Sequence, residues 1–104
     1  MFVYILRCKG DTLYTGFTPD LARRYREHCQ KKGAKYTRSH PPCGIAAAWE
    51  VEGKSDALRL EYRIKTLSRA EKDRLIESGT EGELFGIRAE RIHPVFESES
   101  TIVG

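Results

Sequence analysis

The sequence predicts an α+β domain in which a three-stranded, mainly antiparallel sheet is flanked by about three helices. Two short segments rich in β-branched and aromatic residues lie on either side of an N-terminal turn, which indicates a hairpin. Later segments repeat apolar residues at helical spacing behind capping residues. With 104 residues, 39% of them hydrophobic, the chain is long enough to form one small core.

The N-terminal hairpin joins Phe2–Cys8 to Leu13–Phe17 through the turn residues Lys9–Asp11. A three-residue loop at this turn places Tyr4 and Tyr14 on the same face of the hairpin. A two-residue loop would place the two phenols on opposite faces, because a shift of one residue reverses the alternation of side chains. We predict the three-residue loop, which lets the two tyrosines act together.

A helix, a loop and a third strand follow the hairpin. In Thr18–Asp20 a capping side chain, Thr18, stands before a proline at or near the first position of a helix over Leu21–Lys32, which Gly33 ends. Residues Ala34–Gly44 are basic, contain proline and lack periodicity, so we predict a loop. Ile45–Val51 is apolar and has the length of a strand.

Two further helices are predicted from spacing and capping. The second helix begins at Lys54–Asp56, and its apolar residues then recur every three or four positions. The third begins at Ser68, which forms a capping box with Glu71, and ends at Gly79. The recurring apolar residues of the second helix are Ala57, Leu60, Ile64 and Leu67.

Charge is distributed unevenly along the chain. Residues 1–40 contain nine basic and three acidic residues, whereas residues 77–104 contain two basic and six acidic ones. The basic part suits a polyanionic partner, since each neutralised phosphate adds salt-dependent affinity, although charge alone fits a solvated surface equally well. We predict a domain at residues 1–79 and an acidic, partly flexible C-terminal extension at residues 80–104, with one extended stretch at Arg91–Phe96 and disorder at its end.

Cysteine usage and hydropathy indicate the compartment. Cys8, Cys29 and Cys43 are an odd number without a C-x-x-C pair, so neither a disulfide framework nor a structural zinc site is expected. No apolar run reaches the length of a membrane span, and the N-terminus lacks the pattern of a signal peptide. We therefore expect a soluble protein of the reducing cytoplasm.

Three polar residues lie at the edges of predicted apolar faces. Arg24 and His28 are four residues apart on the first helix, so they point in one direction beside its apolar stripe. Glu61 lies next to Leu60 of the second helix, where an unpaired acid is rarely buried. Each residue alone fits a structural role: a solvated arginine, a histidine at the edge of the core, and an ion pair with Lys65.

The combination of these residues with the hairpin is more specific. Phe2-Val3-Tyr4 and Tyr14-Thr15-Gly16 stand about ten residues apart, and Arg24, His28 and Glu61 follow in order. This pattern resembles the GIY-YIG nuclease family, in which Gly-Ile-Tyr and Tyr-Ile-Gly occupy the two tripeptides. The resemblance covers about residues 1–79 and points to small single-domain bacterial members, a group similar to the catalytic domain of Slx-type structure-specific endonucleases. It implies a GIY-YIG-like nuclease domain over that range.

The resemblance implies that five residues form a catalytic set: Tyr4, Tyr14, Arg24, His28 and Glu61. Glu61 would hold a single hard divalent ion, Mg²⁺ or Mn²⁺, whose other ligands are waters and the phosphate. Arg24 would present its planar fork to the scissile phosphate, and His28 would donate to a phosphate oxygen or orient a tyrosine. Tyr4, with Tyr14 beside it, would act as general base once nearby cations favour the phenolate; which phenol takes the proton is left open.

The implied function is that of a metal-dependent endonuclease that hydrolyses phosphodiester bonds in DNA, selects shape rather than sequence, and serves DNA repair or recombination. The expected partner is branched, flapped or single-stranded DNA, with RNA left open. The alternative is a nucleic-acid-binding module with weak or no cleavage. Basic side chains interleaved with an aromatic suit backbone phosphates and a stacked base. The expected nucleic-acid contacts are Gly16, Lys31, Lys32, Lys35, Tyr36 and Arg38.

Overall fold

A five-stranded antiparallel sheet forms the centre of the protein in a computed structural model, which describes residues 1–78 and 82–94. The strands are β1 (Phe2–Cys8), β2 (Thr12–Thr18), β3 (Pro42–Val51), β4 (Gly82–Leu84) and β5 (Ile87–Ile92), and they lie in the order β2-β1-β3-β5-β4. The helices are α1 (Leu21–Cys29), α2 (Lys35–Ser39), α3 (Lys54–Thr66) and α4 (Arg69–Ser78). The predicted α+β class and antiparallel sheet are confirmed, whereas the described residues contain five strands and four helices instead of three of each.

The register of the hairpin is the predicted one. Tyr4 pairs with Gly16 and Leu6 pairs with Tyr14, as a three-residue loop requires. The turn is made with left-handed backbone, which Gly10 adopts at a φ of 82°. Both tyrosines therefore point to one face of the sheet.

Side chains of the central strands alternate between two cores. Val3 and Ile5 join an apolar core beneath α3 and α4, in which Trp49 is fully buried. Tyr4 and Leu6 point to the opposite face, where α1 packs on them. The sheet therefore separates an entirely apolar core from a face on which buried tyrosine and histidine are found.

The ends of α1 differ from the prediction. Asp20, rather than Thr18, is the capping residue, because its carboxylate accepts a hydrogen bond from the Arg23 amide at 3.1 Å. The helix ends at Cys29, three residues before the predicted Lys32, and Lys31 adopts left-handed backbone with a φ of 62°. The chain then turns back across the end of α1.

The predicted loop at Ala34–Gly44 is wrong in part, because it contains α2 and the first residues of β3. The five residues of α2 carry no amphipathic repeat that sequence could reveal. Their helix is held by tertiary contacts instead: Thr37 is fully buried and Tyr36 stacks on Tyr14. Such contacts override weak local propensity.

The capping box before α4 is confirmed. Glu71 Oε1 accepts from the Ser68 amide at 2.8 Å, and Ser68 Oγ accepts from the Glu71 amide at 3.1 Å. The predicted stop at Gly79 lies outside the described residues.

The described part of the predicted C-terminal extension packs on the same sheet. β5 pairs with β3, and β4 completes a second hairpin. The extended stretch predicted at Arg91–Phe96 begins earlier in the structure, at Ile87, and the end of the chain that we expected to be disordered is outside the described residues. The division of the chain near residue 79 stays a prediction. In the part of the chain that the structure describes, no helix is long and apolar enough to cross a membrane.

Candidate active site

A run of buried hydrogen bonds connects the hairpin to α1 and α2. Tyr4 Oη lies 2.8 Å from His28 Nε2, and His28 Nδ1 lies 2.7 Å from Thr37 Oγ1. Thr37 Oγ1 in turn donates to the Ala34 carbonyl at 3.0 Å. Tyr4 is 2% exposed, while His28 and Thr37 are fully buried. One strand and two helices are thus joined by hydrogen bonds between buried side chains.

Burial keeps both titratable members of this run neutral at pH 7. It lowers the pKa of His28 to about 4, and the positive charge of Arg24 lowers it further in the same sense. Burial also raises the pKa of Tyr4 to about 12, although a hydrogen bond from Arg24 acts in the opposite direction. In the free protein the proton therefore stays on the Tyr4 phenol.

Two glycines make room for the rings. A Cβ at Gly16 would lie 2.6 Å from Tyr4 Oη and 3.3 Å from Tyr14 Cε2. A Cβ at Gly33 would lie 2.9 Å from the His28 Cε1 and Cγ atoms and still nearer to Nδ1. Backbone therefore packs directly on the tyrosine and histidine side chains, where any larger residue would displace them.

Arg24 is paired with a carboxylate on its own helix. Its Nη1 donates to Glu27 Oε1 at 2.9 Å, one turn along α1, and the pair is about one-third exposed. The arginine lowers the pKa of the Glu27 carboxyl, and it lies near enough to Tyr4 to lower the pKa of that phenol as well. Its guanidinium therefore acts on the buried run while it remains in contact with solvent.

Glu61 approaches the site from α3, the helix on the other face of the sheet. Its side chain is 17% exposed and lies 3.4 Å from Lys65 Nζ, and its negative charge contributes to the raised pKa of Tyr4. The described residues contain no cluster of three or more histidine, cysteine or acidic side chains. A single half-buried carboxylate fits a hard divalent ion that takes its other ligands from water and phosphate.

An aromatic column extends from the site along α2. The Tyr14 and Tyr36 rings stack with centroids 5.9 Å apart, and Tyr36 and His40 stack at 4.5 Å. Tyr36 remains 36% exposed, so a nucleobase can reach this column. The four basic residues expected to contact nucleic acid are exposed around the column: Lys31, Lys32, Lys35 and Arg38.

The structure brings four predicted residues into contact, namely Tyr4, Tyr14, Gly16 and His28. Arg24 and Glu61 lie near enough for their charges to act on Tyr4. Sequence reasoning missed three residues that touch them. Glu27 had a usable signal, since it is three residues from Arg24 on a helix. Gly33 was interpreted only as a helix stop, and Thr37 lay in a segment predicted to be a loop, so neither had a local signal.

Comparison with known proteins assigns the family. The model of the GIY-YIG catalytic domain matches residues 1–74, the part of the chain that carries the hairpin, α1, α2 and α3. The chain belongs to the GIY-YIG family. This is a family of nucleases, hydrolases of phosphodiester bonds that generally depend on a divalent metal ion.

Relatives place this GIY-YIG protein in the small UPF0213 group. The chain is 47% identical to the UPF0213 protein BH0048 of Halalkalibacterium halodurans over 75 residues, which cover 72% of this chain and 80% of that protein. It is 44% identical to the UPF0213 protein NP_0776A of Natronomonas pharaonis over 79 residues, or 76% of this chain and 93% of the relative. The solution NMR structure of the UPF0213 protein BH0048 from Bacillus halodurans matches with a TM-score of 0.50 and 45% identity, covering 74% of this chain and 82% of that one.

Proposed function

We propose that this GIY-YIG protein is a divalent-metal-dependent endonuclease that hydrolyses phosphodiester bonds in DNA, selects DNA shape rather than base sequence, and serves DNA repair or recombination. The observation that carries the proposal is the hydrogen bond of 2.8 Å between Tyr4 and His28, with the charges of Arg24 and Glu61 acting on the same phenol. A tyrosine, a histidine, an arginine and a carboxylate around one point supply a proton acceptor, an anion-binding group and a metal ligand.

Arg24 binds the scissile phosphate in this proposal. Its guanidinium is permanently charged and planar, so it can donate two parallel hydrogen bonds to phosphate oxygens. In the free protein one of its nitrogens is bound to Glu27 at 2.9 Å. A phosphate therefore competes with a carboxylate that lies on the same helix, and Glu27 keeps the guanidinium extended toward the site until the phosphate arrives.

Tyr4 takes the proton of the attacking water, and His28 takes the proton of Tyr4. The raised pKa of the Tyr4 phenol and the lowered pKa of the His28 imidazole mean that this transfer is unfavourable in the free protein. Activation must therefore come with the complex. A cation beside Tyr4 favours the phenolate, while a phosphate on Arg24 offsets the positive charge that disfavours a protonated His28.

Glu61 holds the divalent ion, which we propose to be a single Mg²⁺ or Mn²⁺. When bound, the ion supplies positive charge for the transition state of the phosphate. Because Glu61 is the single carboxylate of the catalytic set, metal affinity without nucleic acid is weak, and the substrate completes the site.

Exposed basic residues around α2 bind the DNA backbone rather than base edges. Lysine and arginine contacts to phosphate fix position without reading sequence, which supports selection by shape. Branched, flapped and single-stranded DNA leave bases unpaired, and such bases can stack at the open end of the aromatic column beyond His40. Cys8 and Cys43 are not joined in a disulfide, which supports a reducing compartment such as the cytoplasm.

The test is a cleavage assay on labelled single-stranded, duplex, flap and four-way-junction DNA, with Mg²⁺, Mn²⁺ or EDTA. Glu61→Gln is nearly isosteric and should abolish metal-dependent cleavage while circular dichroism shows an unchanged fold. Glu52→Gln, at an exposed carboxylate in the turn before α3, is the matched control and should cleave like the parent protein.

The outcomes separate the two functions that the sequence left open. Products that require metal and vanish only in Glu61→Gln support the endonuclease and rank its substrates. DNA binding without products under every condition would make the protein a nucleic-acid-binding module. Equal cleavage by Glu61→Gln would remove this carboxylate from the mechanism.

A further inference from the structure

We infer that Thr37 is a positioning residue, which fixes His28 in the tautomer that carries its hydrogen on Nδ1 and leaves Nε2 free to accept the proton of Tyr4. The inference about the tautomer stands on hydrogen-bond geometry alone. Its catalytic consequence rests on the function proposed above. Thr37 is not in the predicted catalytic set. It lies on α2, a helix that carries none of the residues of that set.

The Thr37 hydroxyl has a single hydrogen to donate. Thr37 Oγ1 lies 3.0 Å from the Ala34 carbonyl, and a carbonyl can only accept, so the hydroxyl hydrogen points there. The contact of 2.7 Å between Oγ1 and His28 Nδ1 then requires the hydrogen to come from the ring nitrogen. With the other tautomer, two acceptors would face each other across either the 2.7 Å or the 3.0 Å contact.

The contact at His28 Nε2, on the opposite edge of the imidazole ring, indicates the same tautomer. Tyr4 Oη lies 2.8 Å from His28 Nε2. If Nε2 carried the hydrogen, the phenol would accept it, and the phenol's own hydrogen would need another acceptor in a residue that is 2% exposed. If Nε2 is unprotonated, the phenol hydrogen has its partner. Buried polar groups are almost always paired, so this arrangement is the stable one.

The chain around Thr37 is shaped to hold the contact. Gly33 lies so close to the His28 ring that any Cβ would overlap it, which brings the backbone before α2 directly over the imidazole. Tyr36, the neighbour of Thr37, stacks on Tyr14 and so anchors α2 to β2. The short helix is therefore fixed from two sides while its inward-facing hydroxyl fixes the histidine. Removing the hydrogen-bond partner of a metal-bound histidine commonly lowers activity about 10- to 100-fold, and we expect a loss of the same order for His28.

The first measurement uses the unmodified protein. Two-bond ¹H–¹⁵N correlation spectra at pH 7 distinguish the protonated from the unprotonated ring nitrogen of His28, independently of any nuclease activity. We expect the hydrogen on Nδ1. A hydrogen on Nε2 would overturn the inference, whatever the protein cleaves.

Variants then test whether the hydroxyl is the cause. Thr37→Val removes the acceptor at nearly constant volume and should lower kcat on the order of 10- to 100-fold, with KM little changed and the His28 tautomer altered. Thr37→Ser keeps the hydroxyl and should restore the tautomer and most of the rate. Thr15→Val is the matched control, because Thr15 is a 5% exposed threonine of β2 whose side chain points to the other face of the sheet from Tyr14.

Two results would contradict the role of the Thr37 hydroxyl. Thr37→Val with the parental tautomer and the parental kcat would overturn it, as would Thr37→Ser behaving like Thr37→Val. If Thr37→Val does not fold, the unmodified protein and Thr37→Ser still decide the point by NMR. If no form of the protein cleaves any substrate, the proposed function fails, whereas the spectra still confirm or refute the role of Thr37 in setting the tautomer.

Discussion

The two faces of the central sheet are held by different kinds of contact. Beneath α3 and α4, Val3, Ile5 and Trp49 pack in an entirely apolar core. Beneath α1 and α2, Tyr4 and His28 are just as buried but are placed by hydrogen bonds. The stability of the apolar face depends on how well many side chains fill its volume. The arrangement of the polar face depends on a few hydrogen bonds, each of which has a fixed direction. A small change should therefore act on stability at one face and on chemistry at the other.

The largest expected effect on stability is at the apolar face. Leu60 is fully buried in α3, so Leu60→Ala should lower the free energy of unfolding by about 2–5 kcal/mol in urea titrations. Leu60→Met, which conserves volume, should cost less than about 1.5 kcal/mol. In the folded protein neither change should alter the NMR signals of the His28 ring; a change in its tautomer would mean that the two faces are not independent.

The polar face should respond to acid instead. His28 has an ordinary pKa of 6.5 and a folded-state pKa of about 4, so between these values the unfolded chain binds a proton that the folded protein does not. Stability is therefore fully present above pH 6.5 and falls as pH falls through this window, by a total on the order of 3 kcal/mol. Urea titrations at pH 7, 5.5 and 4.5 measure the slope.

Histidine variants assign that slope to one residue. His28→Gln should remove most of the loss between pH 6.5 and 4.5, even if its stability at pH 7 is lower. His93→Gln, at an exposed histidine after β5, is the matched control and should keep the parental slope. An unchanged slope in His28→Gln would place the acid sensitivity elsewhere in the protein.

The same contrast explains how much of the fold could be predicted from sequence. The β-branched and aromatic run of β1 and the helical spacing of α3 are repeated signals, so both elements were predictable, and the turn length gave the register of the hairpin. β4 has three residues and lies in an acidic, glycine-containing segment, where no such repetition exists. α2 has five residues and owes its helix to contacts with residues distant in sequence.

The candidate site was predictable only as far as residue types and family resemblance reach. Tyr4, Arg24 and His28 could be placed together by register and by helix periodicity. The partner of His28 could not, because a hydrogen bond between α1 and α2 depends on how the chain turns at Gly33, and no local pattern specifies that turn. The direction of the hydrogen bonds at the polar face is set by the fold of the whole domain, and no single segment of the sequence specifies it.

Gly33 tests that turn directly. Gly33→Ala places a methyl group inside contact distance of the His28 ring and should destabilise the protein by about 1–3 kcal/mol. It should also slow cleavage by displacing the imidazole from Tyr4. Gly44→Ala is the matched control, since a Cβ there meets nothing within 4 Å. If the two variants are equally stable and equally active, the backbone before α2 can move away from the His28 ring with no loss of stability or activity.

The smallest effect is expected at Arg91, a charged side chain beside the apolar core. Arg91 donates to the Ile76 carbonyl near the end of α4 at 3.1 Å and lies over the Trp49 ring at 5.4 Å, but its Nε and Nη1 find no partner among the described residues. Arg91→Met would lose one hydrogen bond and a cation–π contact, and it would also remove unpaired buried N–H groups. These effects oppose each other, so we expect a change of about 1 kcal/mol or less. If Arg91→Met keeps its stability while Thr37→Val loses activity, a buried polar group matters where the direction of its hydrogen bond is used. If Arg91→Met instead lowers the free energy of unfolding by more than about 3 kcal/mol, Arg91 is needed to hold α4 against the sheet.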